Sequence, residues 1–192
     1  NAADAVYLGL AEGFVEHQYA GEVLNGLTET VWSTGVAENH ERVFDLMATF
    51  VARSKAALPE GNVEAAASEI AELCSADDDL GVINNIIAAQ SENPWVQKAA
   101  ATLASGSPLS ARLIAEQIRR CKGLSLKAAF QAEMLLSTAI IRQPEFAEGV
   151  RALLIDKDRS PAWQHSSPVD VPQDLIEQHF TAPWAENPLG DL

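Results

Sequence analysis

Hydrophobic residues recur at helical spacing along most of the chain, and the strict alternation that marks a half-buried strand is scarce. Ala5, Leu8 and Ala11 share one side of a helix over 2–12. Asn1 is placed to cap that helix by accepting free backbone N–H groups, and Gly9 and Gly13 loosen its end. Phe14 and Val15 make a short extended link. Residues 18–27 read as a modest helix with Val23, Leu24 and Leu27 on its apolar side. Residues 28–39 have no clean period and contain Gly35, so they read as a loop. The next helix, 41–58, sets Val43, Leu46, Met47, Phe50, Val51 and Ser54 along one face and stops at Pro59-Glu60-Gly61.

In the second half, start signals are the clearest feature. Asn62 is placed to cap a helix over 63–74, and Asp77, Asp78 and Asp79 open 80–90, where carboxylates suit the positive helix end. Asn93-Pro94 and Ser107-Pro108 are cap-and-proline starts for 95–104 and 109–122. In the latter helix Leu109, Leu113, Ile114, Ile118 and Cys121 form a stripe expected to be buried, and Gly123 ends it. Ser125 caps a long helix to about Arg142, with Phe130, Met134, Leu135, Ile140 and Ile141 among its apolar residues. Gln143-Pro144 then starts a helix through Phe146, Val150, Leu153 and Leu154. After Asp156 the pattern changes. Residues 160–192 hold five of the nine prolines and two of the four tryptophans, with only 175–180 reading as helix. The expected fold class is all-α: a helical region over 1–159, then an extended tail over 160–192 with one short helix, anchored by Trp163 and Trp184.

Charge narrows the function. The 192 residues carry 13 Lys+Arg against 27 Asp+Glu, a net charge of −14, which repels phosphate backbones and anionic lipid. Neither nucleic acid nor a membrane is an expected partner, and no stretch of about 18 apolar residues occurs. Two cysteines, Cys74 and Cys121, sit in apolar helical patterns and are expected to be buried free thiols in a reducing compartment. The chain opens on a cap residue rather than Met, and reads as one cut at an element boundary. His17, His40, His165 and His179 are scattered without ligand spacing, so no metal site is expected, and no nucleophile elbow or phosphate-cradling glycine loop is present. Glu145 and Glu148 lie one turn apart at a helix start, where they complement the helix dipole. Two basic clusters stand out, Arg119-Arg120-Lys122 and Lys157 with Arg159. Each reads either as helix-end charge or as an anion site for the phosphates of a nucleotide-bearing ligand.

The run EGVRALLIDKDRSPAW, residues 148–163 and preceded by PEF, resembles the C-terminal signature of the 3-hydroxyisobutyryl-CoA hydrolases, a branch of the crotonase (enoyl-CoA hydratase/isomerase) superfamily. Residues 107–137 and 93–108 resemble the helix pair and the segment that come before it. Residues 1–15 are similar to the segment that follows the family's catalytic core, while 28–75 and 164–192 match weakly. The resemblance implies a C-terminal part of an enzyme cleaving a β-hydroxyacyl-CoA thioester in valine breakdown. Its partner would be the acyl-CoA substrate, with room for a homo-oligomer, and no cofactor beyond the coenzyme A carried by that substrate. The family's oxyanion-hole and general acid/base motifs precede the segment resembling 1–15, so no catalytic residue carries over. Lys157 matches a lysine that approaches the coenzyme A phosphates, with Arg159 beside it as a helper. The alternative is that Asp156, Lys157, Asp158 and Arg159 pair with one another and fix the tail. A hydratase or isomerase paralogue, and a non-catalytic helical interaction module, are the competing functional readings.

Overall fold

The computed structural model describes residues 1–191, which form eleven α-helices and no strand. Tertiary contacts divide the chain into two units, Asn1–Ile70 and Ala71–Leu192.

In the first unit, α1 (Ala2–Tyr7) starts as the sequence predicts. The Asn1 side chain accepts from the Asp4 N–H at 3.1 Å, and the Asp4 carboxylate accepts from the Asn1 nitrogen at 2.9 Å, a reciprocal capping box. It ends short of residue 12 because Gly9, at φ +69°, turns the chain. The Gly9 N–H then bonds the Val6 carbonyl at 3.1 Å and the Leu10 N–H bonds that of Ala5 at 2.8 Å. The predicted loop narrows to 30–35, since α2 (Ala20–Glu29) runs on and α3 (Val36–Ser54) starts early. The Asn39 amide closes this turn with two 2.9 Å bonds to the Ser33 backbone. Of the predicted face of α3, Phe50 and Ser54 are fully buried. Ser54 Oγ accepts the Glu16 N–H at 3.0 Å, and the Arg53 guanidinium lies 4.1 Å from the centre of the Tyr19 ring while bonding Glu22 at 2.8 and 3.2 Å.

The predicted helix over 63–74 is broken at Ala66 into α4 (Asn62–Ala65) and α5 (Ala67–Leu73). Asn62 does not cap it. Its amide instead donates to Asp4 at 3.2 Å, and the Asp4 carboxylate accepts the Val63 N–H at 2.8 Å. One carboxylate therefore satisfies the free donors of two helix starts far apart in sequence. The Val63 N–H, then the Asn1 nitrogen, hold the Asp4 carboxyl down from 3.8 to about 2. A depressed carboxylate stabilises the fold above its unfolded value near 3.9, and that contribution is lost as pH falls through about 2. Melting temperature measured against pH is therefore expected to fall between pH 4 and 2, and to fall less steeply in Asp4→Asn. Parallel curves would mean that Asp4 is not the link.

In the second unit the predicted caps are in place. Asp78 accepts from Gly81 at 2.6 Å to start α6 (Asp79–Ile87), and Asn93 accepts from Trp95 at 2.9 Å to start α7 (Pro94–Ser105). Ser107 accepts from Ser110 at 3.0 Å for α8 (Pro108–Cys121), and Ser125 from Ala128 at 3.2 Å for α9 (Leu126–Ile140). α10 (Pro144–Val150) and α11 (Gln173–His179) complete the unit. Leu109 and Leu113 of α8 pack with Val171 and Ile176 of the tail, and Ile140, Leu175 and Phe180 close over them. Ile114 and Ile118, expected in the same stripe, are 59% and 70% exposed. They lie about 100° and 140° around the helix from Leu113, away from the face that meets the tail. Cys74, just past α5, is exposed and Cys121 half-buried, both as free thiols, so neither is the buried residue its pattern implied. No described helix is long and apolar enough to cross a membrane.

Candidate anion-binding loop

The second basic cluster lies where α10 widens. Over Arg151–Ile155 the chain makes a π turn, with the Asp156 N–H bonding the Arg151 carbonyl five residues back at 2.8 Å. The extra residue per turn redirects the chain into a loop in which Lys157 and Arg159 both sit in the left-handed region, at φ 57° and 55°. The Arg159 N–H closes it onto the Ala152 carbonyl at 3.0 Å.

Arg151 occupies the centre. Its guanidinium bonds both Glu148 oxygens at 2.9 and 2.7 Å, Asp156 and Asp158 at 2.7 Å each, and the Ser160 carbonyl at 3.2 Å. Arg151, followed by the Ala162 N–H at 2.7 Å, holds the Glu148 carboxyl down at about 2. Arg151, again the larger influence, and the Ser160 N–H lower Asp158 as well. Farther along, the buried Glu145 carboxylate accepts from the Ser107 hydroxyl and from the Gln164 N–H at 3.2 Å. Trp163 Nε1 donates to the Ser105 carbonyl at 3.1 Å, and its ring rests on Gly149, where an added Cβ would stand 3.3 Å from it. The predicted Trp163 anchor is thus in place, and Trp184 is half-buried.

The competing reading of the 156–159 run is split by this geometry. Asp156 and Asp158 pair, but with Arg151, while Lys157 and Arg159 are exposed and have no side-chain partner among the described residues. Arg159 lines an apolar groove of about 590 Å³ whose walls also include Leu113, Ile140, Phe146, Leu153 and Trp163. In the other basic cluster the two arginines are neutralised. Arg119 and Arg120 both bond Glu116, and Arg120 also bonds Glu177 at 2.6 Å and covers the Phe180 ring at 4.2 Å. These arginines are structural charge, and only Lys122 of the cluster is left exposed outside the ion pairs. Glu145 and Glu148, read from sequence as dipole complements, in fact tether the backbone of the tail. Arg151 was not singled out at all, although Glu148, Asp156 and Asp158 around it were visible.

The family model for enoyl-CoA hydratase/isomerase matches residues 1–180. Among similar proteins, 3-hydroxyisobutyryl-CoA hydrolase of Danio rerio is 41% identical over 85 residues, 44% of this chain and 22% of that protein. The Xenopus laevis mitochondrial protein of the same name is 29% identical over 181 residues, 94% of this chain and 45% of that one. Small ribosomal subunit protein mS47 of Arabidopsis thaliana is 32% identical over 97 residues, 49% of this chain and 24% of its own. A solved carnitinyl-CoA dehydratase from Mycobacterium thermoresistibile superposes with a TM-score of 0.75 at 23% identity, over 99% of this chain and 50% of that chain. The chain spans less than half the length of the curated relatives described here. With its model match over residues 1–180 and its all-helical architecture shared with part of a solved relative, this chain belongs to the enoyl-CoA hydratase/isomerase family.

Proposed function

We propose that this chain is the C-terminal, coenzyme A-gripping part of an acyl-CoA thioester hydrolase of the 3-hydroxyisobutyryl-CoA type. The observation that carries the reading is the pair Lys157 and Arg159, without side-chain partners among the described residues, on a braced loop of a chain with net charge −14. Cations held apart from local carboxylates are suited to a ligand bearing several phosphates, and the guanidinium of Arg159 matches a phosphate in two-point fashion. The apolar groove that Arg159 lines suits the uncharged arm of such a ligand. In the whole enzyme, backbone donors stabilising the thioester oxyanion and an acidic side chain assisting attack would come from residues outside this sequence. The hydrolase names of the relatives support hydrolysis over hydration.

Titration of the chain with coenzyme A by calorimetry tests this. Binding is expected for the native sequence, weaker at high salt, and weakened about tenfold or more in Lys157→Ala/Arg159→Ala, since hydrogen bonds to charged groups contribute about 1.5–3 kcal/mol each. Equal affinity in the double variant would remove the reading. A structural-subunit role is the second reading, favoured by the ribosomal relative. It expects no coenzyme A binding at all.

A further inference from the structure

The carboxylates around Lys157 and Arg159 are engaged chiefly by Arg151, helped by the Ala162 N–H on Glu148 and the Ser160 N–H on Asp158. Asp156 and Asp158 flank Lys157, Asp158 adjoins Arg159, and Glu148 is gathered into the same cluster by the π turn. Of these three carboxylates, Asp156 and Asp158 are chain neighbours of the two exposed cations. Arg151 occupies all three and spends a further donor on the Ser160 carbonyl, at 3.2 Å. We propose that Arg151 is the positioning residue of this loop, keeping its carboxylates from capturing Lys157 and Arg159 and bracing the left-handed backbone from which both face a phosphate-bearing ligand. The proposal rests on the reading of Lys157 and Arg159 as contacts for coenzyme A. Only a planar fork of five donors serves this set, because an ammonium is a compact point charge that cannot span three carboxylates and a carbonyl.

Coenzyme A binding to the full chain, with far-UV circular dichroism as the folding check, decides it. Arg151→Lys keeps the charge but not the fork, and is expected to weaken binding about tenfold although Lys157 and Arg159 are intact. Adding Asp156→Asn and Asp158→Asn to Arg151→Lys removes the competing carboxylates and is expected to restore affinity to within about threefold of native. A purely structural role would not be rescued by those changes. Native affinity in Arg151→Lys overturns the proposal, and so does a loss that the added asparagines leave uncorrected. Should Arg151→Lys fail to fold, Asp158→Asn alone still tests the idea. With Arg151 in place its affinity is expected to stay within about twofold of native, and a tenfold gain would show that Asp158 was already holding the cations. If Lys157→Ala/Arg159→Ala binds as tightly as native, the underlying reading fails, whatever Arg151 does.

Discussion

Leu113→Ala is expected to destabilise the unit 71–192 by about 2–5 kcal/mol, the range for removing a buried leucine side chain and leaving a cavity. Leu113 is 1% exposed and packs on Leu109, Val171 and Ile176. Two of those three partners belong to the tail, so the cavity would open at the seam between α8 and the 171–179 segment, where collapse is hindered from both sides. Ile114→Ala provides the contrast. It is the next residue and equally apolar, but 59% exposed, and its loss is expected to stay within about 0.5 kcal/mol. Urea unfolding followed by tryptophan fluorescence measures both, since Trp95, Trp163 and Trp184 all lie in this unit. Similar losses for the two variants would mean that the tail does not complete the core of α8.

That pair also shows what the sequence could and could not convey. Periodicity told that α8 has an apolar side but not how wide its buried part is, because the width is decided by the partner, here α11, and not by the helix. Starts set by chemistry within three residues were legible: Asn1, Asn93, Ser107 and Ser125 each cap as read. Asn62 misled because the acceptor for its helix arrives from Asp4, 59 residues before the Val63 it serves. In the proline-rich tail nothing in the composition marked Val171 and Ile176 as half of a core cluster. At the loop, charge and family resemblance singled out Lys157 and Arg159. Arg151 stayed hidden because its partners stand three residues before it and five and seven after. Glu148 is an ordinary one-turn helical partner of Arg151, but Asp156 and Asp158 join it only when a π turn and two left-handed residues fold the chain.

Supplied with a β-hydroxyacyl-CoA thioester, the chain alone is expected to give no hydrolysis above the uncatalysed rate. Thioester cleavage needs fixed donors at the developing oxyanion, worth about 10²–10³ in rate, and a general acid or base titrating near neutral pH, worth about 10²–10⁴. The loop supplies neither. Its cations reach out toward solvent, and Glu148, paired with Arg151, is held ionised down to about pH 2 by that guanidinium and the Ala162 N–H. Asp158 is lowered in the same way, so neither carboxyl has a proton to give a departing thiolate at pH 7. Glu145 is buried against Ser107 and the Gln164 N–H, engaged on both oxygens. The ion pairs proposed to leave the loop's cations free for phosphates thus also make it a poor acid. Release of free thiol, followed with a thiol-reactive chromophore, checks this. Turnover lost in Lys157→Ala/Arg159→Ala would place the chemistry beside the loop and refute the division of labour argued here, with binding in this chain and catalysis outside it.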